Sequence, residues 1–112
     1  MAGSFEVFAD KSGEFRFRLK AGNGQTVLSS EGYSSKAAAM KGIESVKTNA
    51  GDSSRFDRSE TATGKFRFNL KAKNNQVIGT SQNYDSAASR DKGIEAAGRA
   101  ADGAKVVDLT ES

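Results

Sequence analysis

The chain has 112 residues, 17 basic and 14 acidic, for a formal charge of +3. It has no Cys and no His, which removes disulfides, thiolate chemistry, sulfur-ligated zinc and the commonest general base near neutral pH. With 36% hydrophobic residues, a mean hydropathy of -0.60 and no apolar run near the ~18 residues a membrane span needs, the expectation is a soluble cytoplasmic protein with a small core, lacking a signal peptide.

Residues 4–10 alternate Phe5 and Val7 against Glu6 and Phe8, which predicts a strand closed by the turn Asp10-Lys11-Ser12-Gly13. Residues 14–21 alternate strictly. Phe15, Phe17, Leu19 and Ala21 share one face and the other is charged, as in a half-buried antiparallel strand. Gly22-Asn23-Gly24 supplies a hairpin turn. Residues 25–30 read as a third, weaker strand with Val27 inward. The period then changes. Ser34 is placed to cap a helix that begins at Ser35, and Ala39, Ile43, Val46 and Ala50 form one apolar stripe. Gly42 sits mid-helix, where it costs about 1 kcal/mol relative to Ala, so close packing against the sheet is its expected role. Gly51-Asp52-Ser53 ends the helix and residues 55–61 form a strand.

The pattern then repeats. Gly13 to Asp57 aligns with Gly64 to Asp108 at an offset of 51 without a gap, with 19 identities in 45 positions, which identifies an internal duplication. Residues 65–72 form a strand with Phe66, Phe68 and Leu70 inward, Asn74-Asn75 a turn and residues 76–81 a strand. Asp85 is read as the cap of a helix from Ser86 to about Ala101. Its stripe holds Ile94, Ala97 and Ala101, with Arg90 where the first copy has Ala39. Residues 105–110 form a last strand, with Val107 and Leu109 assigned to the inward sites. The order is β-β-β-α-β-β-β-α-β. Such a chain is an α+β fold, a single mainly antiparallel sheet with two helices packed on one face. We expect one domain, 1–112, made of repeats at about 4–61 and 55–110 that share the strand 55–61, and a monomer with pseudo-twofold symmetry.

The repeated signature is Phe-Arg-Phe-x-Leu-Lys-Ala, an Asn-containing turn, Gln, Ser-x-x-Tyr-x-Ser and Lys-Gly-Ile-Glu. In the first copy it continues as Ser45-Val46-Lys47-Thr48-Asn49-Ala50. It resembles the YegP-like family of small bacterial proteins over about residues 5–110. The resemblance implies tandem β(3)-α-β units in one sheet with C-terminal strands exchanged between them; single-unit members reach the same arrangement by dimerising. It supplies no catalytic residues, because the family's biochemical function is not established. The chain departs from the family at Lys41 and Lys92, where Asn is usual, and lacks the Pro that often follows Asn-Ala. It also has Ala96-Ala97-Gly98-Arg99 where Ser-Val-Lys is preferred. Any site made by that stretch is therefore expected in the first unit only.

Two sets of residues are candidate sites. Ser30, Tyr33 and Ser35, with Ser81, Tyr84 and Ser86, recur at the helix starts, where free backbone N–H groups attract anions; the competing reading is capping and closure of the core. Arg16, Arg18 and Lys20, with Lys65, Arg67 and Lys71, form the outward faces of the two strongest strands, a platform for weak nucleic-acid or polyanion binding if those strands lie close together. The competing reading pairs them across strands with Glu6, Asp57 and Asp108. Among the aromatics only Phe8 falls on the outward parity, so base stacking and sequence-specific nucleic-acid binding are not expected. No catalytic residue, metal or cofactor is assigned, and a binding or structural accessory role is the leading reading.

Overall fold

Strict alternation in a chain this polar leaves each strand one apolar face, and a sheet with one apolar face must be covered on that side. The computed structural model, which describes residues 3–110, shows this arrangement. Strands β1 (Ser4–Ala9), β2 (Phe15–Lys20) and β3 (Thr26–Ser29) lead into helix α1 (Lys36–Asn49). A short 3-10 turn precedes β4 (Phe56–Glu60), and β5 (Phe66–Lys71) and β6 (Val77–Thr80) lead into α2 (Ala87–Ala101) and β7 (Lys105–Asp108).

All seven strands form one sheet in the order β4-β5-β6-β3-β2-β1-β7. Every pairing is antiparallel except β7 on β1, which is parallel. The closing strand of the second repeat thus lies on the first repeat, and β4 lies on β5 of the second, so the closing strands are exchanged. The two repeats meet at β3 and β6 through one residue pair, Ser29↔Thr80. Both helices pack on the same face, and each touches strands of both repeats.

The core repeats as well. Phe5 meets Phe17 edge-on at 6.0 Å and Phe56 meets Phe68 edge-on at 5.4 Å. Phe5, Phe17, Leu19, Phe68, Leu70, Ile43 and Val46 are fully buried, and the apolar residues of both helix stripes are buried, with Arg90 half-buried. Asn75 adopts φ 68°, the left-handed conformation that its counterpart Gly24 supplies with φ 87°.

Three sequence expectations need correction, and one is extended. The helices begin one residue later than expected: the Ser35 hydroxyl accepts the Ala38 N–H and the Ser86 hydroxyl accepts the Ser89 N–H, so Ser34 and Asp85 are not the caps. In β3, Val27 is buried as expected, and a bulge beside it lets Leu28, opposite Leu19, join the core as well. In β7 the parity is reversed. Parallel pairing sets Val106 opposite Phe5 and Asp108 opposite Val7, so Val106 packs on the core while Leu109 is 48% exposed. Asp108 therefore points to the helix side, where it pairs with Lys36 of α1 instead of the outward lysines and arginines.

Candidate functional site

The Ser-Tyr-Ser clusters are built by a bulge and a stack. Ser30 follows β3, and its hydroxyl accepts the Phe17 N–H at 2.9 Å and donates to the Glu31 carbonyl at 2.8 Å. Ser81 does the same with Phe68 and Gln82, at 2.9 and 2.7 Å. Three residues on, Tyr33 exchanges both backbone bonds with Phe15 and stacks on Phe17 at 6.1 Å; Tyr84 repeats this with Phe66 and Phe68. Burial raises both phenol pKa values, keeping them neutral. A Cβ added at Gly42 would lie 2.6 Å from the Tyr33 hydroxyl oxygen and 2.8 Å from the Phe17 ring, and Gly93 faces Tyr84 in the same way. The mid-helix glycines thus make room for the tyrosines. Ser35 and Ser86 are committed to their N-caps. The serine hydroxyls are thus engaged in internal bonds and the tyrosine rings pack on the core, while Ser35 and Ser86 stay exposed at the helix starts.

The basic residues are not brought together. Between β2 and β5 stand β3 and β6, three strand spacings or about 14 Å. Arg16 pairs with Asp10 at 2.8 Å, Arg18 and Lys20 both pair with Glu6 at 2.6 and 3.5 Å, and Lys71 pairs with Asp57 at 3.6 Å. Lys65 pairs with Asp85. These bonds hold the carboxyls of Glu6, Asp10 and Asp85 below the usual carboxylate range, with the hydrogen bonds from Arg18, Arg16 and Lys65 the leading causes. Among the described residues Arg67 alone of the six has no acid within 4 Å. The Arg18 guanidinium covers the Phe8 ring at 4.6 Å, so the outward aromatic is not free to stack on a base.

A third feature joins the repeats. Each β-hairpin tip leans on the helix of the other repeat and leaves a cleft of about 420 Å³. One cleft lies between α1 and the β5–β6 tip, lined by Glu44, Ser45, Thr48, Asn49, Lys73 and Asn74. Its counterpart lies between α2 and the β2–β3 tip, lined by Ala96, Arg99, Ala100, Gly22 and Asn23. The Ser45–Ala50 stretch singled out in the sequence forms the helix wall of the first. Its partner residues, Lys73 and Asn74, come from the other repeat, and sequence reasoning did not find them. The signal available was the 51-residue offset itself, which sets Ser45, Asn49 and Lys73 against Ala96, Ala100 and Gly22. Among the described residues no group of three or more His, Cys, Asp or Glu could hold a metal, and no helix is long and apolar enough to cross a membrane.

Fold and sequence together define a tandem-repeat α+β protein with exchanged closing strands. The chain belongs to the family described as a domain of unknown function, DUF1508, whose pattern matches it twice, over residues 10–57 and 62–108. It is 58% identical over 109 residues to a UPF0339 protein in the ptx operon 5' region of Stutzerimonas stutzeri, covering 97% of this chain and 98% of that one. It is 52% identical to the UPF0339 protein YegP of Escherichia coli K12, over 84% of this chain and 86% of the relative. The solution NMR structure of yegP from E. coli, a protein of unknown function, superposes with a TM-score of 0.94 at 47% identity, over 100% of this chain and 97% of that one. A UPF0339 protein from Shewanella oneidensis gives 0.92 at 44% identity, over 98% and 93%. The family read from the repeated signature is therefore the right one, and its members carry no established biochemical function.

Proposed function

We propose that the protein acts by binding, as a small non-catalytic module whose recognition site is the cleft between α1 and the β5–β6 hairpin. One observation carries this reading. The duplicated scaffold builds the same cleft twice, and the first is lined by a carboxylate, two hydroxyls, two carboxamides and an ammonium where the second has mostly alanine and glycine. A recess with convergent polar groups is the usual form of a small-molecule site. The non-catalytic reading is supported by a chain without His or Cys, in which the strand carboxylates of Glu6, Asp57 and Asp108 serve in ion pairs. Polyanion binding through the sheet face has less support, because five of its six cations are paired and the set is divided between separated strands. We take residues 1–112 as one domain of two repeats sharing the strand 55–61, monomeric, and at home in the cytoplasm, where a cysteine-free chain loses nothing.

The test is an amide-resolved NMR titration of the full chain with separate panels of free amino acids, sugars and polyols, and inorganic phosphate. At least one panel should move the amides of Ser45, Asn49, Lys73 and Asn74. A Kd near 1 mM approaches saturation by about 10 mM, so silence at those amides across all panels overturns the reading.

A further inference from the structure

We infer that this cleft takes a small zwitterion, of the class of free α-amino acids; the inference rests on the binding reading above. It begins at Asn49, which is 5% exposed although it ends a surface helix. Its Nδ2 donates to the Ser45 carbonyl at 2.8 Å and the Ser45 hydroxyl at 3.3 Å. Among the described residues nothing donates to its Oδ1. The residue is buried, yet its Oδ1 is not sealed from solvent, so it stands as an acceptor open where Asn49 lines the cleft. The counterpart position is Ala100, equally buried, so the fold does not require a carboxamide there.

The charges at the rim narrow the chemistry. Glu44 and Lys73 line the same cleft, yet among the described residues neither has an ion-pair partner within 4 Å, including the other. A ligand with one charge would satisfy one of them and be repelled by the other. Phosphate faces Glu44, and a lone cation faces Lys73. A zwitterion satisfies both.

The hydroxyls agree in polarity. Thr48 already donates to the Glu44 carbonyl at 3.0 Å, which leaves its oxygen an acceptor. Ser45 already accepts from Asn49, which leaves its proton to donate. The cleft therefore offers three acceptors, Asn49 Oδ1, Glu44 and Thr48, for an ammonium. It offers two donors, Lys73 and Ser45, for a carboxylate. In the counterpart cleft Ser45, Thr48, Asn49 and Lys73 become Ala96, Arg99, Ala100 and Gly22, and this set is lost.

The experiment uses the full-length protein and named probes: glycine, L-alanine, L-serine and L-glutamine, with N-acetylglycine amide, glycerol, glucose and inorganic phosphate as comparators. Free amino acids should shift the amides of Ser45, Asn49 and Lys73 with Kd values of about 0.1–1 mM, leaving Gly22, Ala96 and Ala100 still. N-acetylglycine amide, which lacks both charges, should be silent. Asn49→Ala, which copies the second repeat, and Lys73→Gln, at an exposed turn, should each weaken binding about tenfold or more, with the remaining amides reporting an intact fold. Should Asn49→Ala unfold, Lys73→Gln decides alone. If comparators move the site and amino acids do not, or if the folded variants bind glycine unchanged, the zwitterion inference fails while the binding reading stands. If nothing moves these amides, both fail.

Discussion

The outer strands of the two repeats, β1 and β4, occupy equivalent places and live in different surroundings. Each pairs antiparallel with the strongest strand of its repeat in the same register, Phe5↔Leu19 and Phe56↔Leu70. β1 then receives β7 on its other side, whereas among the described residues β4 receives nothing. The helix-side positions differ to match. β1 presents Phe5, Val7 and Ala9, and Val7 is fully buried; β4 presents Phe56, Arg58 and Glu60, and the exposed Arg58 reaches Asp91 of α2 at 3.1 Å. A bare strand edge invites pairing with other chains, and charged side chains are a common protection. The two copies have thus diverged where their neighbourhoods diverge. The seam shows the same principle. Leu28 of the first repeat lies inward against Gly79 of the second, where an added Cβ would sit 2.6 Å from the leucine. One copy contributes the bulk and its equivalent contributes the space.

Cutting the comparison in two should have the largest effect. Fragment 1–61 keeps β1 to β4 and loses both β5, on which β4 lies, and β7, which covers β1. A chain of that length buries at best ~60% of its unfolded surface, and no disulfide compensates. We predict an unfolded chain or a homodimer that exchanges its closing strands. Sedimentation equilibrium with circular dichroism checks this; a folded, concentration-independent monomer would show each repeat to be self-sufficient.

Next come the core phenylalanines. Phe17→Ala and Phe68→Ala should each cost about 3–5 kcal/mol, much of the ~5–15 kcal/mol a domain of this kind possesses. Equal losses in urea unfolding would mean that the repeats share one core energetically. A much smaller loss at Phe68 would make the uncovered side the looser one, and two near-wild-type melts would contradict the burial of both.

The glycines test the tyrosine stacks on a finer scale. Gly42→Ala gains up to ~1 kcal/mol of helix propensity but drives a methyl into the Tyr33 hydroxyl and Phe17, an overpacking that costs about 1–3 kcal/mol. Net destabilisation is expected, in both repeats, with partial recovery when Gly42→Ala is combined with Tyr33→Phe. Net stabilisation by either alanine would break the packing account.

The smallest effect concerns acid. Lys36, foremost, and Thr110 hold the Asp108 carboxyl down to about 2, and Glu6 and Asp10 are lowered by their arginines. A carboxyl whose folded pKa is depressed contributes stability above its ordinary value of about 4 and loses it as pH falls through the folded value. Melting temperature should therefore fall below about pH 4 and stay level between pH 5 and 8, where no histidine titrates. Lys36→Ala should blunt the acid limb; a step near pH 6.5 would contradict the assignment.

The elements and the sidedness of the fold were legible because alternation of period two and the apolar stripe of period 3.6 are local, and the duplication wrote each twice. Strand order was not, because alternation states which face a side chain takes and is silent about the neighbour. That is why the basic rows of β2 and β5 could be imagined side by side. The parity of β7 was misread for a related reason. The 51-residue offset maps Val107 onto Phe56, an antiparallel edge position, whereas β7 pairs in parallel and sets Val106 against Phe5. The substitutions Val7 to Arg58 and Ala9 to Glu60 were on view and identify the covered edge once two edges are known to exist. Of the site candidates, the serines and tyrosines were recognised as a recurring group, but a hydroxyl's commitment to Phe17 N–H depends on a bulge that only backbone coordinates display. The cleft was half legible: its Ser45–Asn49 wall stood out as unique to one repeat, and the hairpin tip facing it did not.

The parallel seating of β7 on β1 gives the chain an axis of mechanical resistance. The N-terminal end of β1 lies beside the N-terminal end of β7, with Ser4 opposite Lys105 and Val7 opposite Asp108. Tension between the two ends of the polypeptide therefore pulls these neighbours past one another along their length. Their slanted, evenly spaced hydrogen bonds then stretch together and must fail together. Tension across the β1–β2 turn would instead open the antiparallel ladder one rung at a time. Held by its termini, this small domain should behave as a clasp, and the four residues that close it are the ones the second repeat lends to the first.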